Sequence, residues 1–100
     1  IMAWELANEA RGKNRVRRFR DWIHETAAFI KSLDRNHMVT TGSEGDTPHP
    51  WWNGTDVQRD HQSPFIDYIT FHLWVENWGW YDPKVAETSF ATAMERARSY

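Results

Sequence analysis

Residues 1–9 read IMAWELANE, a short and mostly apolar run that ends in two polar side chains, Asn8 and Glu9. An apolar run of this length, followed by the turn-forming residues 10–13, is typical of a buried strand. In barrel enzymes the chemistry lies at the carboxyl ends of the strands. Two interpretations of Glu9 stay open on this stretch alone: a catalytic carboxylate, or a residue that ends the strand and faces water.

Further strand and helix patterns follow along the chain. Apolar residues at spacings of three and four predict a helix over 14–33. A strand rich in β-branched residues is predicted over 38–41, and a third strand over 68–74. Asp82 followed by Pro83 predicts the start of a last helix, because an N-cap residue precedes proline at the first helical position. We expect this helix to continue through residues 99–100. Its inner face would consist of Val85, Phe90, Ala93, Met94 and Ala97.

A long irregular stretch, residues 42–64, separates the second and third predicted strands. A loop of this length in a compact domain is usually functional or contains a short helix. Thr55 or Asp56 could cap such a helix, which would run through His61.

The order of elements is therefore strand, helix, strand, short helix, strand, helix. This alternation predicts an α/β fold with a parallel sheet and right-handed crossovers. A doubly wound sheet and an eight-fold barrel both fit three such units. The absence of a glycine-rich phosphate fingerprint after any strand disfavours the nucleotide-binding version. Both ends of the 100 residues look cut, so we expect them to be one incomplete domain of a longer protein.

The composition excludes several classes of partner. The formal net charge is −2, and the basic cluster over 13–20 has the pattern of a solvated helix face, so we expect no nucleic-acid partner. The chain has no cysteine, which excludes disulfides, thiolate metal sites and a cysteine nucleophile. No apolar run approaches the roughly 20 residues that span a bilayer. We expect no membrane contact and no cofactor.

Seven tryptophans in this short chain point to a binding surface. Trp51, Trp52, Trp78 and Trp80 lie in segments rich in Gly, Pro, Asn and Asp, outside the periodic elements. Loop tryptophans present a flat apolar ring with a polar edge, which suits sugars. For the pair Trp51 and Trp52 we favour packing for one ring and leave the other open.

The residues suited to chemistry follow the predicted strands. They are Asn8 and Glu9 after the first strand, Glu44 after the second, and His72 and Trp74 after the third. These strand ends should converge on one face. A buried Glu9 would have its neutral form favoured, as a general acid requires. His72 and Trp74 are two apart and should point the same way, offering a hydrogen bond and a stacking ring.

Two weaker patterns have structural explanations. His49, Asp60 and His61 could be taken for a metal trio, but their spacing matches no known motif, and hydrogen-bonded loop histidines are favoured. Residues 53–55, Asn-Gly-Thr, fit a glycosylation acceptor, although such triplets arise often by chance.

Three segments carry a resemblance to a known family. Residues 4–11, WELANEAR, resemble the fourth-strand motif of glycoside hydrolase family 5, whose members are (β/α)8-barrel enzymes with an Asn-Glu pair there. Residues 40–45, TTGSEG, resemble the fifth-strand end of its endo-β-1,4-mannanases. Residues 71–74 and 76–83, FHLW and ENWGWYDP, resemble their sixth strand and the following loop. The resemblance implies three consecutive βα units of a TIM barrel, strands four to six.

The resemblance also implies roles for individual residues. Glu9 would be the acid/base carboxyl, and Asn8 would hold the sugar 2-hydroxyl. Arg11 and Glu44 would lie near the leaving-group side of the substrate. His72, Trp74 and Trp78 would also bind the substrate. The nucleophile of this family follows the seventh strand, so these residues hold half of the catalytic pair, and we expect the isolated segment to be inactive.

Two positions depart from the family pattern. Ala10 stands where proline usually follows the Asn-Glu pair, which could loosen the turn behind Glu9. Trp74 stands where tyrosine is commoner across the family, so an indole N–H replaces the hydroxyl that would bond the nucleophile.

The implied function is hydrolysis of internal β-1,4-mannosidic bonds in mannan by a retaining mechanism, as part of a longer enzyme. The family further implies a polysaccharide substrate, an extracellular or periplasmic location and a monomer. Two alternatives stay open: a β-glucan-cleaving enzyme of the same family, and a non-catalytic carbohydrate-binding barrel.

Overall fold

Two parallel strands form the sheet of a computed structural model that describes residues 1–47 and 49–98. Strand β1 (Ala3–Glu5) pairs with β2 (Met38–Thr40), and Trp4 lies opposite Val39. Parallel strands need a crossover connection, which helix α1 (Val16–Leu33) supplies. The predicted α/β character and parallel pairing are confirmed.

The core lies between α1 and β2. Ile23 and Ala27 are four residues apart, so they share one face of the helix, and they are 1% and 0% exposed. Val39, on the strand beneath, is 0% exposed. The apolar spacing that predicts the helix thus also predicts the face that it buries.

Asp34 fastens the carboxyl end of α1 to the sheet. Its carboxylate accepts the indole N–H of Trp4 at 3.0 Å and contacts Nδ1 of His37 at 2.6 Å. The hydrogen bond from Trp4 and then that from His37 hold the pKa of the Asp34 carboxyl well below its usual value. Because Trp4 belongs to β1, this contact fixes where the helix leaves the sheet.

The loop after β2 contains two short helices, α2 (Pro50–Asn53) and α3 (Val57–Asp60). The sequence predicts α3: the Asp56 carboxylate accepts the backbone N–H of Arg59 at 3.1 Å, as an N-cap does. The sequence analysis did not predict α2. Helix α2 begins at Pro50, because proline is favoured in the first turn of a helix, and it ends just before Gly54, whose φ of 65° suits a helix C-cap.

The prediction of a third strand over 68–74 is wrong. The segment runs beside β2, but Asp67 interrupts the pairing: its carboxylate accepts the Val39 N–H at 2.6 Å, and its own N–H donates to the Val39 carbonyl at 2.9 Å. A side chain therefore occupies a donor of β2 next to the start of this segment, where a paired strand would supply a backbone carbonyl. The contact continues farther along, where the His72 N–H donates to the Glu44 carbonyl at 3.0 Å.

The last helix begins where the sequence predicts it. The Asp82 carboxylate accepts the Lys84 N–H at 2.8 Å and caps a 3-10 turn (Pro83–Val85) that leads into α4 (Ala86–Arg98). Of the predicted inner face, Ala93 is buried, whereas Phe90 is 61% exposed. The expected continuation of the helix through residues 99–100 lies outside the described residues. No helix in 1–47 or 49–98 has the length and apolarity needed to cross a bilayer.

Candidate active site

The backbone after β1 carries Glu9 to the end of β2. The sheet is shorter than the predicted strand over residues 1–9, but hydrogen bonds continue beyond it: Leu6 N–H donates to Thr40 at 3.0 Å and Glu9 N–H to Gly42 at 2.9 Å. Glu9 has a φ of +50°, in the left-handed region that side chains other than glycine rarely adopt. This turn points the Glu9 carboxylate toward the segment around residue 72.

Gly42 allows the two strand ends to come this close. Its φ is +73°, and a Cβ there would lie 2.0 Å from the Ala7 carbonyl oxygen and 2.7 Å from Cγ of Glu5. The backbone of residue 7 cannot move away without breaking the pairing, so only glycine fits.

The Glu9 carboxylate is the meeting point of the predicted site. Oε1 accepts from His72 Nδ1 at 2.6 Å and from Trp74 Nε1 at 2.8 Å, and Oε2 lies 3.7 Å from Nη2 of Arg11. Because an ionised carboxylate can only accept, Nδ1 of His72 carries the hydrogen. The structure thus brings the ends of β1 and of segment 68–74 together, as the strand-end argument predicts.

The charge state of Glu9 differs from the expectation. The prediction that burial favours the neutral form is wrong: the pKa of the Glu9 carboxyl is lowered. The hydrogen bond from His72 is the main cause, and it outweighs desolvation; the bond from Trp74 and the charges of His72 and Arg11 act in the same direction. The side chain is 20% exposed, so burial is too slight to offset these donors.

Arg11 and Glu44 form a bidentate ion pair beside Glu9. Nε and Nη2 of Arg11 donate to the two Glu44 oxygens at 3.0 and 3.2 Å. Glu44 is 3% exposed and also accepts from the Asn53 amide at 3.1 Å. The pair fixes the guanidinium in one orientation, because a planar fork matches a carboxylate in both position and angle.

Asn53 is a structural residue, and in the folded chain its buried amide is not open to the glycosylation that the sequence of residues 53–55 fits. Its Nδ2 donates to Glu44 at 3.1 Å and to Thr47 Oγ1 at 2.9 Å, and the residue is 5% exposed. A glycan would replace one of these hydrogens and would need space that the fold does not provide.

An open depression of about 260 Å³ lies over the Glu9 carboxylate. The side chains that line it are Glu9, Arg11, Glu44, Trp74, Asn77 and Trp78. A second depression of about 360 Å³, along residues 72–74, adjoins it through Trp74. Five of the six lining residues are named by the sequence analysis. The sixth, Asn77, precedes Trp78, and its only sequence signal is this position in the tryptophan-rich loop.

Asn8 is the predicted site residue that the structure leaves outside this cluster. It is exposed, and its amide makes no hydrogen bond within residues 1–47 and 49–98. The donors and acceptor of this amide are therefore available to a ligand.

The loop tryptophans fall into different environments. Trp78 packs against Trp80 with ring centroids 4.8 Å apart. Trp51 is 79% exposed and contacts the ring of His49 edge-on, whereas Trp52 is 53% exposed and carries the ammonium of Lys13 at 3.1 Å from its ring centroid.

Asp60 and His61, two members of the possible metal trio, bind separate partners. Asp60 accepts from Nε of Arg20 at 2.9 Å, and His61 contacts Thr41 Oγ1 at 2.7 Å. In the described part of the chain no three His, Asp or Glu side chains are grouped to hold a metal ion.

The family follows from a comparison with known proteins. A family model described as GH family 5 β-mannosidase-like matches residues 1–100. The chain belongs to glycoside hydrolase family 5. The resemblance drawn from the three motifs is thereby confirmed.

Named relatives within this family agree with the motif assignment. The chain is 43% identical over 89 residues to mannan endo-1,4-β-mannosidase F of Aspergillus fumigatus, a match covering 79% of this chain and 20% of that protein. It is 38% identical over 93 residues to mannan endo-1,4-β-mannosidase 2 of Arabidopsis thaliana, covering 78% and 22%. The chain spans about a fifth of the length of these relatives.

Solved structures of family 5 enzymes have the same arrangement. The endo-β-1,4-mannanase from Thermotoga petrophila superposes with a TM-score of 0.73 at 32% identity, over 97% of this chain and 24% of that one. The family 5 mannosidase from Rhizomucor miehei superposes with a TM-score of 0.63 at 38% identity, over 83% and 18%.

Proposed function

We propose that residues 1–100 are part of the catalytic domain of a retaining endo-β-1,4-mannanase, in which β1 and β2 are strands four and five of a (β/α)8 barrel and segment 68–74 occupies the position of strand six. The observation that carries the proposal is the Glu9 carboxylate, held by His72 and Trp74 beside an open depression. The names of the family 5 relatives, mannan endo-1,4-β-mannosidases, support mannan as the substrate.

Glu9 is the acid/base of this mechanism. In the first step it donates a proton to the glycosidic oxygen while a carboxylate from the rest of the protein attacks the anomeric carbon. In the second step it takes a proton from the water that hydrolyses the glycosyl-enzyme. Because Oε1 already accepts two hydrogen bonds, Oε2 is the oxygen that carries and transfers the proton.

The other side chains bind and orient the sugars. Asn8 is exposed, and its side-chain amide makes no hydrogen bond within the described residues. This amide holds the 2-hydroxyl of the sugar undergoing cleavage. Arg11, fixed by Glu44, contacts the leaving-group side. Trp74 and Trp78 line the depression with apolar ring surface on which sugar C–H faces stack.

The setting of the enzyme follows from the same proposal. A polymeric substrate such as mannan does not enter cells, so the whole protein acts outside the cytoplasm, in the extracellular space or the periplasm. We propose that it acts as a monomer, without a cofactor, because acid/base and nucleophilic carboxylates suffice for retaining hydrolysis.

Glu9→Gln in the full-length protein tests the proposal. We expect mannan turnover to fall roughly 10²–10⁴-fold, the usual contribution of a general acid or base. The first step on an aryl mannoside with an activated leaving group should lose far less, since that leaving group needs no proton. Initial rates measure the turnover of mannan, and pre-steady-state bursts measure the first step on the aryl mannoside.

A matched control is Glu76→Gln, which changes an exposed carboxylate in the loop that carries Trp78. It should leave turnover within about twofold of the parent, as expected for a surface substitution. Normal hydrolysis of mannan by the Glu9 variant would contradict the acid/base assignment. Equal turnover of β-glucan and mannan by the parent protein would contradict the substrate.

A further inference from the structure

We propose that Trp52 and Lys13 form a sugar-binding site on the leaving-group side, which takes a neutral hexose unit of the substrate chain beyond the scissile bond. This inference rests on the proposed function and adds a subsite that the sequence resemblance does not assign. Trp52 supplies a stacking surface and Lys13 supplies hydrogen-bond donors.

The contact between the two side chains defines the site. Nζ of Lys13 lies 3.1 Å from the centroid of the Trp52 ring, the geometry of a cation–π contact. The residue Trp52 nevertheless stays 53% exposed, so part of its side chain that Lys13 does not cover is open to a ligand. No carboxylate in residues 1–47 or 49–98 pairs with Lys13. Its ammonium therefore has donors to offer.

The backbone holds both residues in this arrangement. The Lys13 N–H donates to the Asn53 carbonyl at 2.8 Å, next to Trp52 in sequence. Lys13 has a φ of +51°, and Gly54 packs so closely that a Cβ on it would lie 2.1 Å from the Lys13 carbonyl oxygen. The platform is thus preformed, and a ligand need not order it.

Arg11 connects this platform to the catalytic carboxylate. Its Cζ lies 5.9 Å from the Trp52 ring, and its Nη2 lies 3.7 Å from Oε2 of Glu9. One guanidinium thus separates the platform from the oxygen that transfers the proton. Trp52 therefore lies on the same side of Glu9 as Arg11 and Glu44.

The chemistry of the pair selects a neutral sugar. The indole surface that Lys13 leaves uncovered accepts the apolar C–H face of a pyranose, and the ammonium donates to hydroxyls at the edge of the ring. Trp51 offers a comparison: it is more exposed, at 79%, but its ring partner is His49, and the described residues place no cation on its face. Exposure alone would point to Trp51 as the sugar-binding ring, whereas the contact with Lys13 points to Trp52.

The experiment compares Trp52→Ala with Trp51→Ala in the full-length protein. Two substrates are used: mannohexaose, which extends beyond the cleavage point, and an aryl mannotrioside, whose leaving group contains no sugar. We expect Trp52→Ala to lower kcat/KM for mannohexaose roughly three- to tenfold, the range of one aromatic stacking contact, and to leave the aryl substrate unchanged. Trp51→Ala should change neither.

Lys13→Met keeps the length and apolar stem of the side chain and removes the ammonium. It should lower kcat/KM for mannohexaose in the same substrate-dependent way as Trp52→Ala. An equal loss on both substrates would make Trp52 a structural residue and overturn the proposal, as would no loss on mannohexaose. A protein that depends on Glu9 but is indifferent to Trp52 would overturn this inference alone, whereas independence from Glu9 would overturn the proposed function.

Discussion

Two walls of the depression meet at Glu9, and they are built differently. The buried wall lines the depression with Arg11 and Glu44, and Asn53 lies behind them as a partner of Glu44. Glu44 and Asn53 are 3% and 5% exposed, and the amide and both carboxylate oxygens have partners. The exposed wall lines it with Trp74 and Trp78, and His72 lies beside Trp74 in the adjoining depression. Trp74 is 48% exposed. The exposed wall contacts the sheet through single hydrogen bonds and not through a ladder.

The difference separates two tasks of one site. The buried wall fixes positions, because a paired group in a dry environment has one low-energy geometry. The exposed wall makes the largest contribution to the lowered pKa of Glu9, because its donors both bind one carboxylate oxygen, whereas Arg11 of the buried wall adds a smaller effect. Substitutions in the buried wall and its backbone should therefore appear as lost stability, and those in the exposed wall as a changed pH profile.

The largest effect should come from the glycine that joins the strand ends. Gly42→Ala places a Cβ 2.0 Å from the Ala7 carbonyl oxygen at a φ of +73°, so we expect a loss of roughly 3–4 kcal/mol in the free energy of unfolding. Gly79→Ala, in the loop of the exposed wall, has a similar φ of +68° with nothing within 4 Å. It should cost about 1 kcal/mol, the strain of the left-handed backbone alone.

Urea unfolding of the full-length protein and both variants measures these losses. Equal losses at the two glycines would mean that backbone conformation, and not the close approach of residues 7 and 42, sets the cost. That result would remove the distinction between the two walls.

A smaller loss should follow Glu44→Ala. It removes the partner of Arg11 and one acceptor of the Asn53 amide, and we expect a loss of about 2–3 kcal/mol. In this variant Arg11 would still have Glu9 as a partner, 3.7 Å away, and the Arg11 side chain is 33% exposed to water. The guanidinium charge would therefore not be left buried and unpaired. Glu76→Ala, an exposed carboxylate in the other wall, should change stability by less than about 0.5 kcal/mol. Indistinguishable thermal midpoints for the two variants would show that Glu44 does not anchor its wall.

The smallest change in free energy should come from the exposed wall, as a shift in pH dependence. His72→Ala removes the main donor that lowers the pKa of Glu9, so the pKa rises and the protonated acid persists to higher pH. The alkaline limb of the kcat/KM profile should move to higher pH. Trp74→Phe should move it in the same direction by less, since it removes a hydrogen bond without a charge. A limb that stays or moves to lower pH in His72→Ala would contradict this account, and Trp51→Phe serves as the unchanged reference.

The sequence alone predicts the parts of this structure that local rules control. Helix α1 follows from its apolar spacing, and the caps Asp56 and Asp82 follow from residue type and position. The meeting of Glu9 with His72 and Trp74 is predicted by the rule that parallel strand ends share a face, and segment 68–74 keeps that position beside β2 although it forms no strand.

Parts that depend on individual long-range contacts escape such rules. Segment 68–74 forms no strand, and beside its start the Val39 N–H binds the Asp67 carboxylate and not a backbone carbonyl. The pKa of Glu9 falls because two donors converge on one oxygen, and that convergence depends on side-chain directions across the fold. The contact of Lys13 with Trp52 joins residues 39 positions apart, with no periodic pattern to mark it.

The buried amide of Asn53 has a consequence for making the protein in a eukaryotic secretory host. Glycan transfer acts on nascent chains before they fold, and at that stage residues 53–55 are an open acceptor. Folding uses both amide hydrogens for Glu44 and Thr47 and closes the acceptor. Folding and the glycan transferase thus compete for Nδ2 of Asn53. The fraction of secreted molecules that carry a glycan there therefore depends on how quickly this loop folds.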